Sequence, residues 1–367
     1  MIPKTMRASM LLEYNKIEMR EVPVPEPGPN EVLCKIKAIA ICGSDPDVIN
    51  GNHQKKGWPP SFPFIIGHEW SGVIAALGPG VTEFKVGDRV AGEAHKGCGY
   101  CANCMKGRYT LCLNYGKPDT GHRHYGITSP GANCEYNVYA TKSVHKIPDT
   151  LSFEHATLLD TAGVALHGVE MTGVTPGGTV AVWGPGPIGI FAMQCMKGMG
   201  AKTAIMVGRR YRLQMASLMG ADILVDYEKE DVGEKIMEIT GGLGVDEIQE
   251  ASGSNTALVQ CFAAIKKGGK INFVGFFNDS EVIAPPYTQL IMNEITLSGS
   301  RANPNVSAKV LNMFAAGILK GDKVVTHAFP LERYNDALDI FVNRKDGVMK
   351  VVISPEMDPK EGGKINP

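Results

Sequence analysis

Hydrophobic and polar positions change rhythm along the chain. Over roughly the first 150 residues they alternate in short runs, such as 31–38 and 69–75, separated by Gly and Pro, and each run predicts a β-strand. Pro23, Pro25, Pro27 and Pro29 hold an early segment extended, because proline removes a backbone donor and its predecessor avoids the helical region. Near Ser152 the pattern shifts, and Ser152-Phe153-Glu154-His155 reads as a helix start with Ser152 as N-cap. From Thr179 onward strand, glycine turn and helix repeat. Strands are predicted at 179–182, 203–207, 223–225, 245–249, 270–274 and 295–297, with helices between them such as 188–199 and 211–219. Six strands alternating with helices predict a doubly wound parallel sheet, so the fold class is α/β, with a β-rich part preceding that sheet. An amphipathic helix at 305–319 and a strand at 348–353 follow, and the polar segment 355–367 is expected to fray.

Length and charge narrow the class. At ~150 residues per domain, 367 residues predict two domains with cores of their own. Lys+Arg 37 against Asp+Glu 38 leaves a net charge of −1, which argues against nucleic acid or an anionic membrane as partner. Hydrophobic residues at 44% and charged ones at 20% exclude disorder over most of the chain. No run of 18 apolar residues spans a bilayer, and Met1–Arg7 leads into strand-like alternation without an apolar signal region. The expectation is a soluble cytoplasmic protein.

The segment Val180-Ala181-Val182-Trp183-Gly184-Pro185-Gly186-Pro187-Ile188-Gly189 carries G-x-G-x-x-G between a strand and a helix. Gly184 permits the tight turn, Gly186 lets the backbone approach a pyrophosphate, and Gly189 lets the helix pack on the sheet. Pro187 and Ile188 open the helix, whose free N–H groups face the phosphates. An acidic residue at the end of the next strand would bind a ribose 2′-hydroxyl. Here Gly208 stands in that place and Arg209 and Arg210 follow, two rigid forks suited to a 2′-phosphate. NADP is therefore favoured and NAD remains open. On the alternative reading the two arginines are a solvated helix start, placed against the helix dipole.

Four of the nine cysteines, Cys98, Cys101, Cys104 and Cys112, fall within fifteen residues. Cysteines two residues apart close a disulfide loop poorly but surround one metal well, so this set predicts a closed structural zinc site. A second set is dispersed. Cys42 ends one strand and His68-Glu69 begins another, and a thiol, an imidazole and a carboxylate from separate loops suit an open catalytic zinc site. Taken singly, Cys42 reads equally well as a buried thiol and His68 as a core histidine.

Cys42-Gly43-Ser44-Asp45, Gly67-His68-Glu69-x-x-Gly72, Gly87-Asp88-Arg89-Val90, the four-cysteine segment and Gly184–Gly189 together resemble the zinc-dependent medium-chain dehydrogenases of the sorbitol and threonine dehydrogenase type. The resemblance runs end to end. It implies a GroES-like catalytic domain at 1–155 and 300–367, bearing the structural zinc lobe, and a Rossmann domain at 156–299. It makes Cys42 and His68 zinc ligands, with Glu69 bound directly or through water, and Asp160 a further zinc neighbour unless it is a helix-surface carboxylate. Ser44 is placed to hydrogen-bond the substrate oxygen and pass its proton outward. The family often has a relay histidine two residues after the Asp of the first motif. This chain has Asp47 there, so the relay either runs through Asp47 or is absent.

The activity this implies is hydride transfer between a nicotinamide cofactor, NADP favoured, and a secondary alcohol or polyol or its ketone, with two zinc ions per chain. Loops 51–58 and 121–125, with Glu93 and Arg301, are candidate pocket residues favouring a hydroxyl-rich or anionic substrate, unless the loops are merely solvated. Alternatives are an amino-alcohol oxidation like that of threonine dehydrogenase with NAD, and a dinucleotide-binding redox sensor without turnover. By analogy with the family, a homodimer or homotetramer is expected, with the last strand of the parallel sheet as a pairing edge.

Overall fold

The computed structural model describes residues 1–277 and 284–365. The chain divides into two compact units, one of Met1–Asp160, Ser307–Ala315 and Val324–Pro367, the other of Thr161–Val306 and Ala316–Lys323. Among the described residues no helix is long and apolar enough to cross a membrane.

In the second unit, β1 (Thr179–Trp183), β2 (Thr203–Gly208), β3 (Ile223–Asp226), β4 (Val245–Glu250), β5 (Ile265–Phe273) and β6 (Thr296–Gly299) form one parallel sheet ordered β3-β2-β1-β4-β5-β6. This is the doubly wound sheet that the alternation predicts. Strand order reverses between β1 and β4, and sheets of this kind bind ligands beyond the strand carboxyl ends at that point. The helices α1 (Pro187–Gly198), α2 (Arg210–Leu218), α3 (Val232–Ile239) and α4 (Asn255–Ala264) alternate with the strands. Helices on both faces explain why β1 reads as an unbroken apolar run. Trp183, Ile205, Val207, Ile236, Ile248, Phe262 and Ile271 fill one core. β5 starts earlier than the sequence suggests, because a register shift in β4 between Val245 and Glu247 lets Ile265 pair with Val245.

The first unit is β-rich. Glu31–Ala40 is the central strand of its main sheet, antiparallel to Glu69–Leu77 on one side, while Tyr136–Ala140 and Lys350–Ser354 pair with its first and last residues. Trp70 stacks on Tyr139 at 4.0 Å in its core, and a Cβ at Gly92 would stand 2.3 Å from that indole. Ser152 caps its helix as expected, its hydroxyl accepting from the His155 N–H. The helix predicted at 305–319 is shorter, Ser307–Ala315, because Asn305 (φ 62°) and Gly317 (φ 69°) adopt left-handed backbone on either side.

One expectation is corrected. The segment after Pro355 does not fray as far as Ile365, because the open edge of Val325–Pro330 offers backbone partners. Gly363–Lys364 pairs with that edge, Ile365 N–H donates to Thr326 O, and Lys35 and Lys37 both reach Glu356. Residues 366 and 367 of that expectation lie outside the described residues.

Candidate metal centres and nucleotide loop

Strand register builds the dispersed centre. Ala40 pairs with Glu69 across the two neighbouring strands, so the residues just past Ala40 and just before Glu69 emerge at one end of the sheet. Cys42 Sγ, a His68 ring nitrogen and a Glu69 carboxylate oxygen all lie within 4.8 Å of one another. His68 and Glu69 are buried. Ser44 donates its hydroxyl to Cys42 Sγ at 3.4 Å. The buried Asp45 accepts the Cys42 N–H at 2.8 Å, and its other oxygen lies 3.6 Å from His68 Nδ1.

The field at this cluster favours positive charge. Burial alone would lower the His68 pKa, but the Cys42 sulfur, Asp45 and Asp160 outweigh it and hold the group well above its usual value. A bound cation would answer the same field. Burial pushes the Asp160 carboxyl up to about 6, with His68 pulling in the opposite direction. Asp160 is thus buried and close to the cluster, although its oxygens do not complete the group of mutually close donors. A thiol, an imidazole and carboxylates are the donor types of an open zinc site.

The other cluster is contiguous. Cys98, Cys101, Cys104 and Cys112 also lie with all sulfurs within 4.8 Å, and none is in a disulfide. The Cys98–Cys104 and Cys101–Cys112 separations are both 3.9 Å, against ~3.8 Å for the edge of a tetrahedron with ~2.3 Å zinc–sulfur bonds. Backbone N–H groups of Cys98, Cys101, Cys104, Leu113 and Asn114 donate to these sulfurs at 3.4–3.5 Å. Burial opposes ionisation of Cys98, yet donors from Tyr100, Asn114 and Cys101 bring its pKa down to about 6. The residues fit a closed site for a thiophilic metal.

In the glycine loop, Gly184 has φ 91°, and a Cβ on it would meet the Ser252 N–H at 2.9 Å. A Cβ on Gly189 would stand 2.0 Å from Gly184 O, so the turn and helix α1 can close only on glycine. Gly186 is the N-cap of α1 with Pro187 in its first turn, followed by Ile188. A Cβ on Gly186 would find open space, its nearest neighbour being Arg212 Nη1 at 3.8 Å. The loop therefore offers free amides, the helix end and a guanidinium to an anion.

Comparison with known proteins agrees with this architecture. Residues 28–149 match the family described as Alcohol dehydrogenase GroES-like domain, and residues 187–316 match Zinc-binding dehydrogenase. Sorbitol dehydrogenase of Bacillus subtilis (strain 168) is 35% identical over 358 residues, covering 96% of this chain and 98% of the relative. The chain belongs to the zinc-dependent medium-chain dehydrogenase family. A zinc-binding dehydrogenase of Sinorhizobium meliloti 1021, solved bound to NADP, superposes with a TM-score of 0.88 at 30% identity, covering 96% of this chain and 100% of the other. A short chain alcohol dehydrogenase of E. coli CFT073, solved with NADH, gives 0.87 at 28% identity over 96% and 100%. The chain is thus an enzyme, an alcohol oxidoreductase, with the GroES-like domain and the Rossmann-like parallel sheet of that family.

Other residues of this dehydrogenase fall less simply. The half-buried Asp47 turns its carboxylate to Asn52 Nδ2 at 2.7 Å. Glu93 is not an open pocket wall: its buried carboxylate takes hydrogen bonds from Tyr109, His145 and Ser307. Arg301 is exposed. Tyr115 bridges loops 51–58 and 121–125: Trp58 packs edge-on to it at 5.1 Å, and it bonds His124, whose ring centroid is 6.0 Å from that of His68.

The sequence reading missed Lys350. Its Nζ lies 2.7 Å from Glu69 Oε1 and 2.5 Å from Oε2, with both side chains buried. The signal was available, because a lysine inside the apolar run Val348-Met349-Lys350-Val351-Val352-Ile353 requires a buried carboxylate partner.

Proposed function

We propose that the enzyme oxidises a secondary alcohol or polyol, or reduces the corresponding ketone, with NADP favoured over NAD and two zinc ions per chain. The observation that carries this is the meeting of Cys42, His68 and Glu69 within 4.8 Å at one end of the sheet, with Asp160 buried nearby. In this reading Cys42, His68 and a carboxylate, Glu69 or Asp160, hold the catalytic zinc, and Cys98, Cys101, Cys104 and Cys112 hold the structural one. When bound, the catalytic zinc supplies Lewis-acid polarisation of an alcohol or carbonyl oxygen, and the nicotinamide carries the hydride.

This chain's own groups do the rest. Asp45 orients the His68 ring, a supporting role that fixes ligand geometry. Lys350, in contact with both Glu69 carboxylate oxygens, fixes that side chain's position. Ser44, held beside Cys42, relays the proton, its Oγ accepting one from a substrate hydroxyl as its own passes outward to solvent, and the reverse for a forming hydroxyl. Gly184, Gly186, Pro187, Ile188 and Gly189 receive the pyrophosphate, and Gly208, Arg209 and Arg210 receive the adenosine ribose and its 2′-phosphate. The polar aromatic cluster of Trp58, Tyr115 and His124 favours a substrate with several hydroxyls over a plain aliphatic alcohol.

A homodimer or homotetramer is proposed, with β6 as the sheet edge available for pairing. A cytoplasmic location is supported by nine cysteines that form no disulfide. The test is a screen of polyols, sugars and hydroxy acids with NADP and NAD in parallel, alongside metal analysis. Polyol turnover with NADP and about two zinc per chain supports the reading. Metal at one per chain, unaffected by Cys42→Ser, together with no turnover of any alcohol, overturns it.

A further inference from the structure

The usual acid at the end of β2 is sterically barred here. A Cβ at Gly208 would stand 2.4 Å from Pro185 Cγ, so no carboxylate can rise from that position. The two arginines that follow are nevertheless already holding one. Arg209 Nη1 lies 2.7 Å from Glu228 Oε1, and Arg210 donates to Glu228 through Nη2 at 3.0 Å and Nε at 3.3 Å. Glu228 comes from the turn after β3, where its N–H donates to Asp226 Oδ1 at 3.1 Å. Its neighbours Arg209 and Arg210 hold its pKa below the usual carboxylate range, so it is ionised throughout the neutral range.

We infer that Glu228 is a specificity-determining residue for the cofactor, a carboxylate placed between Arg209 and Arg210 that accepts the ribose 2′-hydroxyl of NAD and competes with the 2′-phosphate of NADP. The inference rests on the reading that the Gly184–Gly189 loop binds the dinucleotide with the two arginines at the ribose.

The chemistry follows from donors and acceptors. Ionised carboxylate accepts hydrogen bonds and donates none, so it suits a hydroxyl and repels a phosphate dianion. Guanidinium forks bind either anion bidentately. A 2′-phosphate must therefore displace Glu228 from both arginines before it can use them, whereas a 2′-hydroxyl can join the existing arrangement. The pairs are partly exposed, with the Glu228 side chain 35% accessible, so the displacement is feasible at modest cost. The result is an enzyme whose arginines admit NADP while Glu228 keeps NAD usable.

The test uses the full-length zinc-loaded protein and the Glu228→Gln variant, titrated by calorimetry with 5′-AMP and with adenosine 2′,5′-bisphosphate. These two probes differ only in the 2′-phosphate. Glu228→Gln is expected to tighten the bisphosphate about five- to tenfold and to weaken 5′-AMP by about threefold. A ratio of the two constants that does not move overturns the inference. A ratio that moves the other way does so too, since it means Glu228 only positions the arginines for phosphate. Arg209→Ala serves as the separate check on the site. If wild-type protein binds neither probe, or Arg209→Ala leaves the bisphosphate affinity unchanged, the nucleotide reading of these residues fails and the inference falls with it. The substituted side chains are solvent-accessible, and unchanged thermal melts confirm that each variant is folded.

Discussion

The two metal-capable clusters of this chain are built by opposite routes. The four-cysteine lobe draws its sulfurs from fifteen consecutive residues and satisfies them with its own backbone amides. The Cys42–His68–Glu69 centre draws on two strand ends, and it is balanced by Asp45 on one side and Lys350 on the other. A closed site can be encoded in spacing because nothing beyond the loop is needed to make it. An open site must leave room for a reactant, and its ligands must be held by the larger fold, so the Glu69 charge is compensated by Lys350, 281 positions away. The first cluster should thus behave as part of the fold and the second as part of the reaction.

The largest expected effect tests that separation. Cys42→Ser should lower kcat/KM by about a thousandfold, the scale of losing several kcal/mol of transition-state stabilisation by the metal. Bound zinc should fall from about two to about one per chain, while the melting temperature barely moves. A variant that loses metal and unfolds early would place this centre with the structural one.

Lys350→Met comes next. It leaves the Glu69 carboxylate buried without its cation, which should cost about 3–5 kcal/mol in denaturant unfolding. Adding Glu69→Gln to Lys350→Met should recover most of that stability, and the double variant should stay poorly active. A double variant no more stable than the single one would show that the pair is not what the substitution breaks. The lobe should give the converse pattern. Cys104→Ser is expected to remove one zinc and lower the melting temperature by about 10 °C, taking ~3 kcal/mol at 2–4 °C per kcal/mol. Folded molecules of that variant should retain their catalytic metal.

What could be read ahead of the structure follows the same division. The parallel sheet was legible because its central strands, β1 and β2, are buried on both faces, so Val180-Ala181-Val182 and the glycines after it carry their own context. The four cysteines were legible for the same local reason. Lys350 was not, because its meaning depends on the strand Lys350–Ser354 pairing with Glu31–Ala40, which no local pattern states. Glu93 was misplaced because a carboxylate beside an apolar strand looks like a pocket residue until Tyr109, His145 and Ser307 arrive from three separate segments. The tail beyond Pro355 was misjudged for a related reason: its polar composition says nothing of the unpaired edge that receives Gly363–Lys364.

The smallest effect concerns the proton. Ser44 and Asp47 stand on the same turn, yet only Ser44 touches the metal cluster, through Cys42 Sγ. Asp47 accepts from Asn52 Nδ2 through its carboxylate and from Asn52 N–H through its carbonyl, so it serves as the anchor of the turn. An amide at 47 keeps the backbone carbonyl and one side-chain acceptor oxygen, so both contacts can survive. Asp47→Asn should therefore change kcat by less than about twofold across pH 6–9, whereas loss of a general acid–base group costs ~10²–10⁴. Ser44→Ala should show a loss at the lower end of that range, about a hundredfold. If instead Asp47→Asn lowers kcat a hundredfold, the proton leaves through Asp47, and the turn belongs to the reaction as much as Cys42 does.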